Sequence, residues 1–129
     1  MTIKGVVITF IECNTNPWNK CMDDCAIRAI TKATGKDYFD VMDGLIIKGD
    51  LYGWDIDELR TIHAYLISIG WECCELDAAL TVKQFAAQIT DPRVVIVRGH
   101  ATCTMNGNWY DTWNCARYRV QSVYRKCIE

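Results

Sequence analysis

Apolar positions along this chain change their period as it proceeds. Ile3, Val6, Val7, Ile8 and Ile11 form a β-branched run that predicts a strand over Ile3 to Ile11, and Asn14, Thr15, Asn16 and Pro17 break it. Ala26, Ile27, Ala29, Ile30 and Ala33 then recur at helical spacing until Gly35, with Asp23 and Asp24 in front as capping residues and Cys25 in the first turn. Asp37 can cap a short amphipathic helix through Tyr38, Val41, Met42 and Leu45, near whose end Gly44 stands. Lys48 to Trp54 holds two glycines and reads as a turn. Asp55 or Asp57 then caps a helix with apolar positions Leu59, Ile62, Leu66 and Ile69, which Gly70 stops.

The second half is strand-rich. Trp71 to Leu76 reads as a short strand, and Thr81 caps a helix carrying Val82, Phe85, Ala86 and Ile89 that Asp91 and Pro92 end. Val94 to Val97 is a buried strand, Ala101 to Met105 a second and Asn108 to Trp113 a third. Asn106-Gly107 joins the last two as a type I′ hairpin, because both central residues of that turn need positive φ. A closing strand or strand pair is expected through Tyr118, Val120, Val123 and Tyr124. Helices first and an antiparallel sheet afterwards is an α+β plan, expected as one domain over residues 1–129.

Composition narrows the setting. Half of the residues are apolar or aromatic, enough for a single core, and a formal charge of −2 gives no global attraction to nucleic acid or acidic membranes. No apolar run approaches the roughly 20 residues that span a bilayer, and MTIKGVVITF lacks the pattern of a secretion signal, so no membrane association and a cytoplasmic setting with reduced thiols are expected. The eight cysteines include Cys21-x-x-x-Cys25 and the adjacent Cys73-Cys74, neither of which is the tight C-x-x-C pairing that structural zinc prefers; no metal and no cofactor are expected.

Cys25 stands out by position. Backbone N–H groups without intrahelical partners and the positive end of the helix dipole favour thiolate there, as a nucleophile requires. Asp23 and Asp24 oppose it, and Arg28, three residues on, can offset them by pairing with Asp24 or by holding a substrate carboxylate. A nucleophilic cysteine also needs a base and a group that orients the base. Of the two histidines, His63 falls near the apolar stripe of its helix and reads as a boundary residue. His100, between Gly99 and Ala101 at the junction of two strands, can project into a cleft, and the Asn106-Gly107 hairpin brings Asp111 back beside it. Trp18 and Trp54, in loops, are candidates for lining a substrate groove, whereas Trp109 and Trp113 share one strand face. Arg117, Arg119, Arg125 and Lys126, with Tyr118 and Tyr124 interleaved, read first as a solvated strand face; nucleic-acid binding is the less favoured alternative.

A Cys at a helix N-terminus, Gly-His-Ala on a strand and Asp-x-Trp on the next, in that chain order, resembles the papain-like cysteine peptidases. Closer still, Asp24-Cys25-Ala26-Ile27-Arg28-Ala29 with Gly99-His100, Gly107 and Tyr110-Asp111-Thr112-Trp113 is similar to the pattern of small papain-like proteins of bacteriophages and prophages. The resemblance implies a papain-like α+β fold and a Cys25–His100–Asp111 triad acting on a peptide or protein substrate, with a host bacterial protein as a possible target. It also implies that Trp113 shields the His100–Asp111 bond and that an upstream amide, Asn19 or Asn16, completes an oxyanion hole. The reaction expected is hydrolysis of a peptide or isopeptide bond through a thioester, with acyl transfer or deamidation as near relatives. A papain-like module that only binds and blocks a host component is the alternative.

Overall fold

The structure is a computed structural model that describes residues 2–3, 6–7, 9–20, 22–76 and 78–128. It is built on a six-stranded mixed sheet in the order β3-β7-β6-β5-β8-β4. In chain order its elements are β1 (Thr2–Ile3), β2 (Val6–Val7), β3 (Phe10–Glu12), α1 (Cys25–Thr34), α2 (Tyr38–Tyr52), α3 (Leu59–Ser68), β4 (Trp71–Cys74), α4 (Val82–Gln88), β5 (Arg93–Val97), β6 (His100–Met105), β7 (Asn108–Asp111) and β8 (Ser122–Lys126).

The strand expected over Ile3 to Ile11 is divided. Thr2–Ile3 pairs antiparallel with Val6–Val7 as a separate ribbon, and only Phe10–Glu12 joins the main sheet; Lys4, Gly5 and Ile8 lie outside the described residues. That junction is also the sheet's one parallel pairing, Phe10 with Trp109 through Glu12 with Asp111, so the sheet is mixed rather than purely antiparallel. β4, from between α3 and α4, forms the opposite edge by pairing with β8. Both sheet edges are therefore supplied by strands that precede the hairpin-linked central strands in the chain.

β5 is buried along its whole length and alternates between two cores. Val94 and Ile96 join Ala26, Ile27, Ile30, Val41, Leu45, Ile62 and Leu66 from α1, α2 and α3 on one face. Val95 and Val97 join Val82, Phe85 and Ala86 of α4, with Trp109, Cys115, Val120 and Val123, on the other. A strand buried on both sides favours apolar residues at successive positions, which is why Val94 to Val97 reads as Val-Val-Ile-Val, with Arg93 at its start ion-paired to Asp91.

Two helix boundaries depart from the sequence reading. α2 runs on through Gly44 and Gly49 to Tyr52, where a turn was expected from Lys48. Both glycines are sites of close approach: a Cβ on Gly44 would stand 2.1 Å from the Tyr65 ring, and one on Gly49 would stand 2.5 Å from the Trp54 carbonyl oxygen. α3 is capped in position by Glu58 rather than Asp55 or Asp57; its carboxylate reaches back to accept from the Asp55 N–H at 2.7 Å. The final strand begins at Ser122, leaving Tyr118 and Val120 in the approach to it, with an isolated bridge between Arg119 and Thr81. The other helix ends follow the chain's punctuation. Gly35 closes α1 with φ +74°, and Thr81 opens α4 with a capping box to Gln84. Asn106 and Gly107, at φ +56° and +80°, make the β6–β7 hairpin.

Candidate active site

Three separate stretches of chain meet at one end of the sheet. α1 presents Cys25 as its first residue, β6 begins at His100 and β7 ends at Asp111. The β6–β7 register pairs Cys103 with Tyr110, and one further step sets Asp111 diagonally across from His100. His100 Nε2 lies 2.5 Å from Asp111 Oδ2, a charge-assisted hydrogen bond between two buried side chains. Cys25 lines the same cleft as His100 and Ala101, and the influence of the imidazole and of the Ala101 backbone on the thiol shows that the three lie close together. Trp113 lies over the ring of His100, centroids 4.6 Å apart at 39°, and touches Tyr118 edge-on at 5.2 Å.

Burial opposes the charged form of each of these groups, and their contacts with one another oppose burial. For Cys25 the His100 hydrogen bond, the Ala101 backbone and the charges of His100 and Arg28 together outweigh desolvation, and the thiol titrates below its ordinary value. For His100 desolvation is likewise the largest single influence, yet hydrogen bonds to Asp111, Cys115 and Cys25 carry the imidazole well above its ordinary range. Burial pushes Asp111 up, but the His100 contact, Thr102 and the Thr112 N–H hold its carboxyl below the usual carboxylate range. Each shift moves its group toward the charged form: Cys25 toward thiolate, His100 toward imidazolium and Asp111 toward carboxylate.

The helix entrance is organised by a buried polar network. Asp24 occupies the cap position of α1 but makes no capping bond there. Its carboxylate instead accepts from Asn16 Nδ2 at 3.0 Å and the Tyr38 hydroxyl at 2.6 Å, and is ion-paired to Arg28. The competition between Asp24 and a negative charge at the helix N-terminus, expected from the sequence, is thereby relieved. Arg28 is buried too; it donates to the Met22 carbonyl at 3.2 Å and lies 3.8 Å from Asp111 Oδ1, so it joins the helix entrance to Asp111.

Cys25 and His100 face an open cleft of about 960 Å³. Its lining includes Met22, Asp23, Asp57, Leu59 and Ile62 together with Arg98, Gly99, Trp113, Tyr118 and Gln121. Arg28 lines it as well, already bound to carboxylates. Asn16 and Asn19 are not among the lining residues. The Asn16 amide nitrogen is bound to Asp24, and its Oδ1 accepts from the Trp18 N–H at 2.8 Å. Asn19 sits in a left-handed turn with its N–H on the Asn16 carbonyl. Gln121 is the one side-chain amide lining the cleft among the described residues, and it came from a tail read for a closing strand and for its basic and aromatic residues.

Nor do the two loop tryptophans line this cleft. Trp18 packs edge-on against Phe39 at 5.3 Å. Trp54 stacks on Tyr52 at 4.5 Å beneath the Arg60 guanidinium and lines a second groove with His63 and Tyr124. His63 hydrogen-bonds the Tyr124 hydroxyl at 2.8 Å. In the tail, Arg125 is ion-paired with Glu72 across the β4–β8 pairing.

Cys115 is the group that sequence reading missed. It is fully buried, with Sγ 3.6 Å from Asp111 Oδ2, and its only sequence signal is a place four residues beyond that aspartate. His100, Asp111 and Cys115 offer metal-ligating atoms within 4.8 Å of one another. The 2.5 Å between Nε2 and Oδ2 is nonetheless shorter than the roughly 3.3 Å that separates two ligands of one tetrahedral zinc, and it is the spacing of a shared proton. Among the described residues Cys13, Cys25, Cys73, Cys74, Cys103, Cys115 and Cys127 are all free thiols; Cys21 lies outside them. No described helix is long and apolar enough to cross a membrane. Compared with protein-family models, curated proteins and solved structures, the chain gives no match.

Proposed function

We propose that this protein is a papain-like cysteine hydrolase that cleaves a peptide or isopeptide bond in a protein substrate, with Cys25 as nucleophile, His100 as base and acid, and Asp111 as the orienting carboxylate. The observation that supports this reading is that Cys25 and His100 line one open cleft, with the His100 ring hydrogen-bonded to Asp111 behind it. In the reaction, Cys25 Sγ attacks the substrate carbonyl carbon and the carbonyl π electrons move onto oxygen. Collapse of that adduct breaks the C–N bond while His100 gives its proton to the departing amine, leaving a thioester on Cys25. Water then attacks the thioester, His100 takes its proton, and thiolate and acid are released. Asp111 keeps the imidazole in one tautomer and stabilises its charged form throughout. The uncapped N–H groups at the start of α1 are backbone donors for the oxyanion. The likeness of its motifs to phage and prophage proteins makes a host bacterial protein the candidate target.

The first test is the rate of Cys25 alkylation by iodoacetamide against pH, located by peptide mass spectrometry. We expect a midpoint well below 9.0, the ordinary thiol value, that moves up in His100→Ala. A proteome-derived peptide library should then acquire new termini with the wild type and none with Cys25→Ser. Should Cys25 react no faster than exposed Cys73, with His100→Ala indistinguishable from wild type, the hydrolase reading fails and the inert binding module takes its place.

A further inference from the structure

Behind the His100–Asp111 pair lies a thiol that the reaction above does not use. Cys115 is fully buried in the turn after β7, and that turn is fixed without help from Asp111. Asn114 Oδ1 accepts from the Trp109 indole N–H at 3.0 Å and the Ala116 N–H at 3.1 Å, and the Cys115 carbonyl accepts from the Tyr118 N–H at 3.0 Å. The sulfur therefore has a set position to which the carboxylate comes.

Asp111 is held at both oxygens. Oδ1 accepts from the Thr112 N–H at 2.7 Å and faces Arg28 Nη2 at 3.8 Å. Oδ2 faces His100 Nε2 at 2.5 Å and Cys115 Sγ at 3.6 Å. Without the thiol, Oδ2 would lose the fixed donor opposite the ring, and the side of the carboxylate that must orient His100 would be left to His100 and Thr102. Comparison with Cys103 separates this from mere burial. That thiol is equally buried, but its polar contact is the carbonyl of its own neighbour Thr104, at 3.8 Å.

We infer that Cys115 is a positioning residue: its S–H pins Asp111 Oδ2 so that the carboxylate holds the His100 ring toward Cys25. A thiol is a weak donor, and here its acceptor is an ionised, buried oxygen, where such a bond counts for most. The inference rests on the Cys25–His100–Asp111 reading and acts only through it.

Alkylation of Cys25 against pH in Cys115→Ala and Cys115→Ser, with thermal denaturation of both, tests this without a known substrate. Losing the donor should raise the Cys25 midpoint by roughly half a pH unit, about a threefold loss of thiolate on the acid limb. Cys115→Ser keeps a donor and should stay near wild type. A folded Cys115→Ala with the wild-type midpoint overturns the inference, as does a Cys115→Ser midpoint displaced as far as that of Cys115→Ala. If Cys115→Ala shows no melting transition, Cys115→Val replaces the lost volume without a donor and should show the same upward shift; an unshifted midpoint there counts against the role. Failure of the triad reading itself looks different, because wild-type Cys25 would then titrate as an ordinary thiol.

Discussion

At the scale of single residues, the controlling fact is that Asp24 is buried and committed. Three donors, from Asn16, Tyr38 and Arg28, converge on one carboxylate directly before Cys25. Removing it strands a buried guanidinium, and breaking one side of such a pair typically costs about 3–5 kcal/mol. Asp24→Ala should therefore lower stability by that order in urea denaturation. Tyr38→Phe, which removes one donor and keeps the ring in the core, should cost about 1 kcal/mol. Equal losses in the two variants would show that the carboxylate is not the hub. Cys25, His100 and Asp111 were legible in the sequence because each is a distinctive residue at a place that local rules define: a helix start, a strand start and the far arm of an Asn-Gly hairpin. Asn16 and Asn19 were assigned by likeness to other proteins, and the structure turns the Asn16 amide inward to Asp24. Cys115 carried no local signal, since what distinguishes it is a contact made only after the sheet has closed.

At the scale of elements, hydrophobic period placed every helix and the three consecutive strands β5, β6 and β7, while glycine misled. Gly44 and Gly49 look like punctuation, and in α2 they are clearances for Tyr65 and for the Trp54 carbonyl. Local rules treat glycine as a breaker because it lacks a Cβ, and the same lack is what lets neighbouring chain approach. Helix propensity alone predicts that Gly49→Ala gains roughly 1 kcal/mol. The added methyl would meet backbone 2.5 Å away, on a segment whose Trp54 N–H bonds the Gly49 carbonyl at 2.8 Å, so neither partner can swing aside. Gly49→Ala should instead destabilise by about 1–3 kcal/mol, whereas Ile47→Ala, on the exposed face of the same helix, should change little. A stabilised Gly49→Ala in thermal denaturation would mean that the α2–α3 connection is looser than described. The split of the first strand and its parallel entry beside β7 were not legible, because that pairing joins residues about a hundred positions apart.

At the scale of the whole molecule, the site should write itself into the pH dependence of folding. His100 is raised on folding, so alone it stabilises fully below its unfolded value of 6.5 and progressively less as pH climbs toward its folded value. Cys25 is lowered, so alone it stabilises above its unfolded value of 9.0 and loses that as pH falls toward its folded value. Together they cancel in between. Above both 6.5 and the lowered folded value of Cys25, and up to 9.0, the unfolded chain holds one proton, on the thiol, and the folded pair also holds one, on the imidazole, so unfolding exchanges none and this pair imposes no slope. Below 6.5, wherever the folded thiol is still ionised, the unfolded chain gains a second proton and stability declines with falling pH. Above 9.0 the unfolded chain loses its only proton while His100 keeps one, and stability declines with rising pH. Cys25→Ser removes the thiol but leaves the Asp111 contact that keeps His100 protonated. Its stability should therefore begin to fall near pH 6.5 rather than 9.0, with a slope approaching one proton per molecule unfolded. Urea midpoints for the two proteins at half-unit pH steps, subtracted so that every other titrating group cancels, measure this directly. A difference that stays flat from 6.5 to 9.0 would mean that Cys25 and His100 do not share a proton in the folded state, and the nucleophile would lose its base before any substrate had been found.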